Sequence, residues 1–310
     1  MCVCVLDPFV FYRRKASFVQ QLSSDLDVNA LTVCDNRVFL TGISSSTIEV
    51  FDAESCLQLQ TLTVDAMIDP WDIAAHPASR YLYVFEGLYE VLRLDLSGRL
   101  VGSWVLDGSQ CALSVSPVNS VVITYSDRLE ECDNVGQILR SIRLDRTICA
   151  ASHSLSLNAN RFVVCHGSGS CLVPHLVCIV DSQGRILERH QGSGDSMYQP
   201  LHLAVADHGC VLAVDVNNRT VQILSEKLSH SYDLINTRRH HPWPLKVCYD
   251  SARGNVFIST IDGTVLVYCV RTRTSVQTEC LDVHSGLIPG QLTDVEYDSM
   301  DTVMTRETEE

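Results

Sequence analysis

Gln199-Pro-Leu-His-Leu-Ala-Val-Ala-Asp-His-Gly-Cys-Val-Leu-Ala-Val-Asp-Val-Asn-Asn-Arg-Thr-Val-Gln-Ile-Leu224 is the stretch on which the fold turns. It holds three short apolar runs: Leu201 to Val205, Val211 to Asp215 and Thr220 to Leu224. Each is bounded by residues that bend a chain, first Asp207, His208 and Gly209, then Asn217, Asn218 and Arg219. Such runs are too short for helices and rich in Val and Ile, which predicts strands. Asp215, Asn217 and Asn218 suit a tight turn, because Asn and Asp tolerate positive φ and bond nearby backbone. Ser231-Tyr-Asp-Leu predicts a fourth strand.

The same rhythm recurs on both sides. Leu31, Ile73, Leu113, Leu155, Leu203 and Val247 occupy equivalent places in successive repeats, 40 to 48 residues apart. Four short antiparallel strands at that period predict a β-propeller, whose blades cover each other's faces by stacking around an axis. Six repeats fill residues 28–280. The chain is therefore expected to be an all-β, six-bladed propeller closed by terminal strand pairing. Two segments compete to supply the last blade's outer strand, Ser275 to Leu281 and Ala16 to Leu22. The second is preferred, since it ties the termini together and removes an exposed edge.

Composition agrees with a full core: 46% of the 310 residues are apolar and 19% charged. The 23 basic and 37 acidic residues give a net charge of −14, which disfavours nonspecific nucleic-acid binding. That charge is uneven. Residues 281–310 carry eight acidic side chains and one basic, leaving 29 and 22 before them. This tail reads as a solvated, disordered acidic extension. The propeller body is only mildly acidic. The 14 Cys are scattered singly without a Cys-x-x-Cys pair, so they are expected to pack as small apolar groups. No basic leader opens the sequence, and a cytoplasmic location is expected. Arg14-Lys-Ala-Ser17 has the form of a basophilic kinase site, a common chance match.

Pro200, Gly209, Asp215, Asn218 and Arg219 together resemble the NHL repeat. Val180-Asp181-x-x-Gly184-Arg185 is a weaker echo. The Trp-Asp of WD40 repeats ends a third strand, whereas Trp71-Asp72 opens a first strand, and no Gly-Gly doublet supports kelch. The resemblance implies a binding module. In multidomain relatives of that family the propeller recruits substrates for a ubiquitin ligase, and some NHL propellers bind RNA. Other six-bladed propellers similar to it include metal-dependent lactonases and an amidating lyase.

Propeller sites lie where loops before first strands meet loops between second and third strands. There the sequence places Trp71, Tyr89, Arg128, His166, Tyr198, Arg219, Arg239, His240, His241 and Trp243. Aromatics beside Arg are the composition of a protein-binding face. The densest basic cluster, Arg238 to His241 before Trp243, is the alternative RNA-gripping element, since bases stack on aromatics. Half of these residues would serve ordinary packing as well. For metal chemistry, ligands must converge from several blades. The first strands offer Asp72 and His153 or His202, but the remaining blades present Ala30, Ala112 and Lys246. No hydrolase or nucleotide-binding motif occurs. The expectation is a monomeric, non-catalytic protein-interaction module with no cofactor and no metal. A single-stranded RNA-binding propeller and a metal-dependent hydrolase or lyase are the alternatives.

Overall fold

The computed structural model describes residues 14–271 apart from 88, 109, 168–174, 191, 193–197 and 239–242. Its strands form six four-stranded antiparallel sheets. Blades 1 to 5 run consecutively over residues 28–63, 70–105, 110–143, 151–190 and 200–236, each with its first strand innermost. Blade 6 takes three strands from residues 244–271. Its outer strand is Lys15–Leu22, which pairs with Val265–Arg271 in the register Ser17↔Cys269. The N-terminal strand thus closes the ring. The rival segment from Ser275 lies outside the described residues, as do the tail and Arg239, His240 and His241.

Each inner strand touches the next, and that of blade 6 touches that of blade 1. Apolar residues on facing blades fuse into shared cores; one joins Phe39, Ile48 and Val50 of blade 1 to Leu82, Val84 and Leu92 of blade 2. Burial of such side chains is the main stabilising term, roughly 1.5–3 kcal/mol each. The outermost strands are largely exposed, as in Gln58–Thr63, because nothing among the described residues packs outside them. Cys34, Cys132, Cys165 and Cys178 are buried in this packing and form no disulfide among the described residues.

One strand was invisible to hydrophobic patterning. Arg128–Cys132 is the third strand of blade 3, yet it carries Glu130 and Glu131. Both carboxylates are buried and satisfied. Glu130 accepts from Arg128 Nε and Tyr125 Oη, each at 2.8 Å, and Glu131 accepts from Arg140 Nε at 2.6 Å and from Ser120 Oγ.

The Asp-x-x-Gly pattern seen at Asp181 recurs as the turn into the fourth strand in three consecutive blades, at Asp95, Asp133 and Asp181. In each, the Asp Oδ1 accepts backbone N–H bonds from residues two and four positions on, and the Gly N–H returns to the Asp carbonyl. Gly184 (φ +74) also abuts blade 3: a Cβ there would overlap the Arg143 carbonyl oxygen. Gly87 has similar φ (+57) but open space around it. Gly87→Ala is expected to cost only the left-handed penalty, roughly 1–2 kcal/mol. Gly184→Ala should cost clearly more, because backbone of two blades must separate. Chemical denaturation of the two variants side by side checks the difference.

Candidate functional site

Every inner strand has a β-bulge at the same place. The pairing with the second strand slips between Val28 and Ala30, Pro70 and Asp72, Gln110 and Ala112, Ala151 and His153, Pro200 and His202, and Pro244 and Lys246. A bulge kinks its strand and re-aims the side chains beside it. Six of them define one end of the channel, the head end, where the inner strands begin.

The residues just past the bulges meet there. Lys246 of blade 6 reaches across to blade 2, its Nζ donating to Asp72 Oδ1 at 2.5 Å and to the Trp71 carbonyl at 2.8 Å. Asp72 also accepts from Ile73 N at 3.1 Å and, through Oδ2, from Leu113 N of blade 3 at 3.0 Å. One carboxylate thus ties three blades. His153 and His202 lie against each other beside it, ring centroids 3.9 Å apart and planes tilted by 36°. Val247 N approaches His202 Nδ1 at 3.4 Å, and His153 Nδ1 is buried without a partner among the described residues. Burial chiefly, with Lys246 adding to it, drives the His153 imidazole down to about 4 against the pull of Asp72. Burial, then His153 and Lys246, push His202 well below its ordinary value. Both rings are neutral at pH 7. Beneath them lies a cavity of about 300 Å³ lined mainly by apolar side chains such as Leu31, Ile73, Leu113 and Leu203.

Around this head, exposed apolar residues cluster on three successive blades. Trp243 and Ile261 belong to blade 6, Ile43 to blade 1, and Ile68, Trp71 and Tyr89 to blade 2. Ile68 is 72% exposed and Trp71 50%, the latter anchored by its Nε1 to Asp69 Oδ2 at 3.1 Å. The Ile68 and Asp69 amides donate to Glu86 Oε1, at 2.9 and 2.7 Å, and fix the loop that carries them.

The sequence-derived site residues divide sharply. Trp71, Tyr89 and Trp243 lie in the exposed arc. Arg219 (φ +54) sets its guanidinium over the Trp243 ring, 4.3 Å from the centroid, instead of pairing with Asp215. Asp215 is occupied by Gln199 N and by Asn218. Arg128 lies apart, over Tyr125 at 3.7 Å and paired to Glu130. Two assignments to the surface need correction. His166 is 1% exposed and Tyr198 3%. His166 ends a strand with its ring turned into the blade, and Tyr198 packs into the core shared by blades 4 and 5, edge-on to His190. The isoleucines of the arc carry no motif and were not foreseen. Asp72, His153 and His202 were recognisable as ligand-type residues at equivalent positions, but not their convergence.

The arrangement defines a six-bladed β-propeller with a polar plug at the channel head and an apolar arc beside it. No model of a known family and no curated protein matches the chain. Solved propellers do. The β-propeller domain of Cps50 (Swd1) from Myceliophteria thermophila aligns over 83% of this chain and 100% of its own, with TM-score 0.62 and 11% identity. The WD40 β-propeller domain of Doa1 aligns over 82% and 96%, with TM-score 0.59 and 13% identity. At such identity the likeness establishes the architecture alone.

His166 provides a pH test of this packing. Both its ring nitrogens are buried without partners among the described residues, and burial, then Arg189 and His175, lowers it to about 4. The unfolded chain takes up that proton near the ordinary value of about 6.5. Stability is therefore complete above that pH, falls as pH drops towards 4, and levels off below. The loss from this group is on the order of 3 kcal/mol. Denaturation curves across that window should be shallower in pH dependence for His166→Phe than for the parent chain.

Proposed function

We propose that this propeller is a non-catalytic protein-interaction module of NHL-like type, which grips a protein partner on the head-end arc of blades 6, 1 and 2. The observation that carries this reading is the placement of six exposed residues, Trp243, Ile261, Ile43, Ile68, Trp71 and Tyr89, at the head end of three successive blades. Exposed aromatic and aliphatic side chains held on fixed loops match the anchors that dominate interface energies, and their solvation is unfavourable until a partner covers them. The known propellers of similar shape fit such a role. The NHL-like type is supported by Pro200, Asp215, Asn218 and Arg219, and by Trp71-Asp72 opening an inner strand rather than ending a third one.

RNA binding is the weaker reading. The chain carries 37 acidic against 23 basic residues, whereas affinity for a phosphate backbone rests on Lys and Arg.

Proximity labelling in cells tests the proposal with Ile68→Glu/Trp71→Ser against the foot-end control Leu57→Glu. The head-end variant should lose a specific set of proteins that the parent and the control both retain, with about 2 kcal/mol or more of affinity lost once a partner is isolated. Identical enrichment in all three would remove the arc from consideration. Retained protein enrichment lost only on nuclease treatment, with a steep salt dependence, would replace the protein reading by RNA.

A further inference from the structure

We propose that Asp72, His153 and His202 form a binding site for a borderline transition-metal dication of the Zn²⁺ or Co²⁺ class, and that Lys246 holds the place of that cation when the site is empty. Three inner strands, from blades 2, 4 and 5, deliver the ligands. One donor atom from each lies within 4.8 Å of the others. For a tetrahedral ion with bonds of about 2.0–2.2 Å, donors must stand somewhat closer, a contraction within reach of small side-chain rotations.

The donor set selects the metal class. Two imidazoles and one carboxylate suit Zn²⁺ and Co²⁺, whereas Ca²⁺ and Mg²⁺ require mostly oxygen. His153 and Asp72 are both 2% exposed, so the ligands are held in place by packing. His153 Nδ1, buried and without a partner among the described residues, is a lone pair or N–H left unanswered there, an arrangement that native interiors rarely tolerate. Val247 N donates a long hydrogen bond, 3.4 Å, to His202 Nδ1, which holds that ring in place and leaves Nε2 as its remaining nitrogen. Both imidazoles also line the channel cavity, which provides room for a water as fourth ligand and a path for the ion.

Lys246 shows that this position attracts positive charge. Its ammonium sits 2.5 Å from Asp72 Oδ1, on a flexible stem whose side chain is 17% exposed. A dication bound to Asp72 would repel the ammonium 2.5 Å from the same carboxylate, so metal entry displaces Lys246 towards solvent. The lysine therefore sets the affinity.

The test titrates purified full-length protein, thiols blocked, with Co²⁺ alone and follows its visible absorption. The expected result is one saturable equivalent with the intense spectrum of low coordination number, bleached by Zn²⁺. His153→Gln/His202→Gln should abolish it, and Lys246→Met should tighten it by about tenfold or more, since the competing charge is gone. A wild-type chain that gives no saturable spectrum overturns the proposal, as does a spectrum unchanged in the double variant. Should the double variant fail to fold, Lys246→Met decides: Zn²⁺ must raise its melting temperature more than that of the parent, because a ligand bound only by the native state stabilises it in proportion to affinity. Equal shifts, or none, contradict the site.

Discussion

A four-stranded blade has two apolar faces and nothing of its own to cover them, so every blade here depends on two neighbours and the ring must close. That single requirement explains the most unusual piece of connectivity, the pairing of Lys15–Leu22 with the last strand of blade 6. Without it Val265–Arg271 would be a bare edge and blade 6 would lack its outer layer. Closure by a strand from the opposite terminus also fixes the inner strands in a circle. Only in that circle do the first strands of blades 2, 4, 5 and 6 bring Asp72, His153, His202 and Lys246 to one point.

The six bulges turn this circle into a site. They interrupt the ladder at one level, and the residues just past them are free to meet neighbours across the ring instead of completing a flat sheet. Where the post-bulge residue is Ala30 or Ala112, it merely packs. Where it is charged or an imidazole, it joins the plug. The Asp72–Lys246 pair is a buried ion pair whose desolvation is offset by two backbone N–H bonds to the carboxylate and a carbonyl bond to the ammonium. The head end therefore combines a polar, ordered centre with exposed apolar residues on blades 6, 1 and 2.

The architecture was legible in the sequence because strand-length apolar runs between Gly, Asp and Asn turns report a local property. The hidden third strand of blade 3 shows the limit of that signal. Glu130 and Glu131 read as solvent-facing, and only the cross-strand arrival of Arg128, Arg140, Tyr125 and Ser120 makes their burial affordable. The site was legible in part. Alignment of the first strands named Asp72, His153 and His202, but distance between blades is a product of closure and appears in no local pattern. His166 and Tyr198 stand at strand ends, where the sequence does not say which way a ring turns, and both turn inwards. Ile43, Ile68 and Ile261 are lone isoleucines in separate loops, and their placement at one end of three successive blades is likewise a consequence of the ring.

Closure in the stated register is thus the claim on which the rest stands, and it can be measured covalently. Ser17 and Cys269 are paired across the closing strands, at the separation of antiparallel neighbours, which a disulfide can span. In a Ser17→Cys variant, mild oxidation should link the introduced thiol to Cys269, seen as a faster-migrating band and as one cross-linked peptide in mass spectrometry. Folded protein in which residue 17 stays reduced, or links to a cysteine other than Cys269, would contradict the ring and with it the convergence at the channel head.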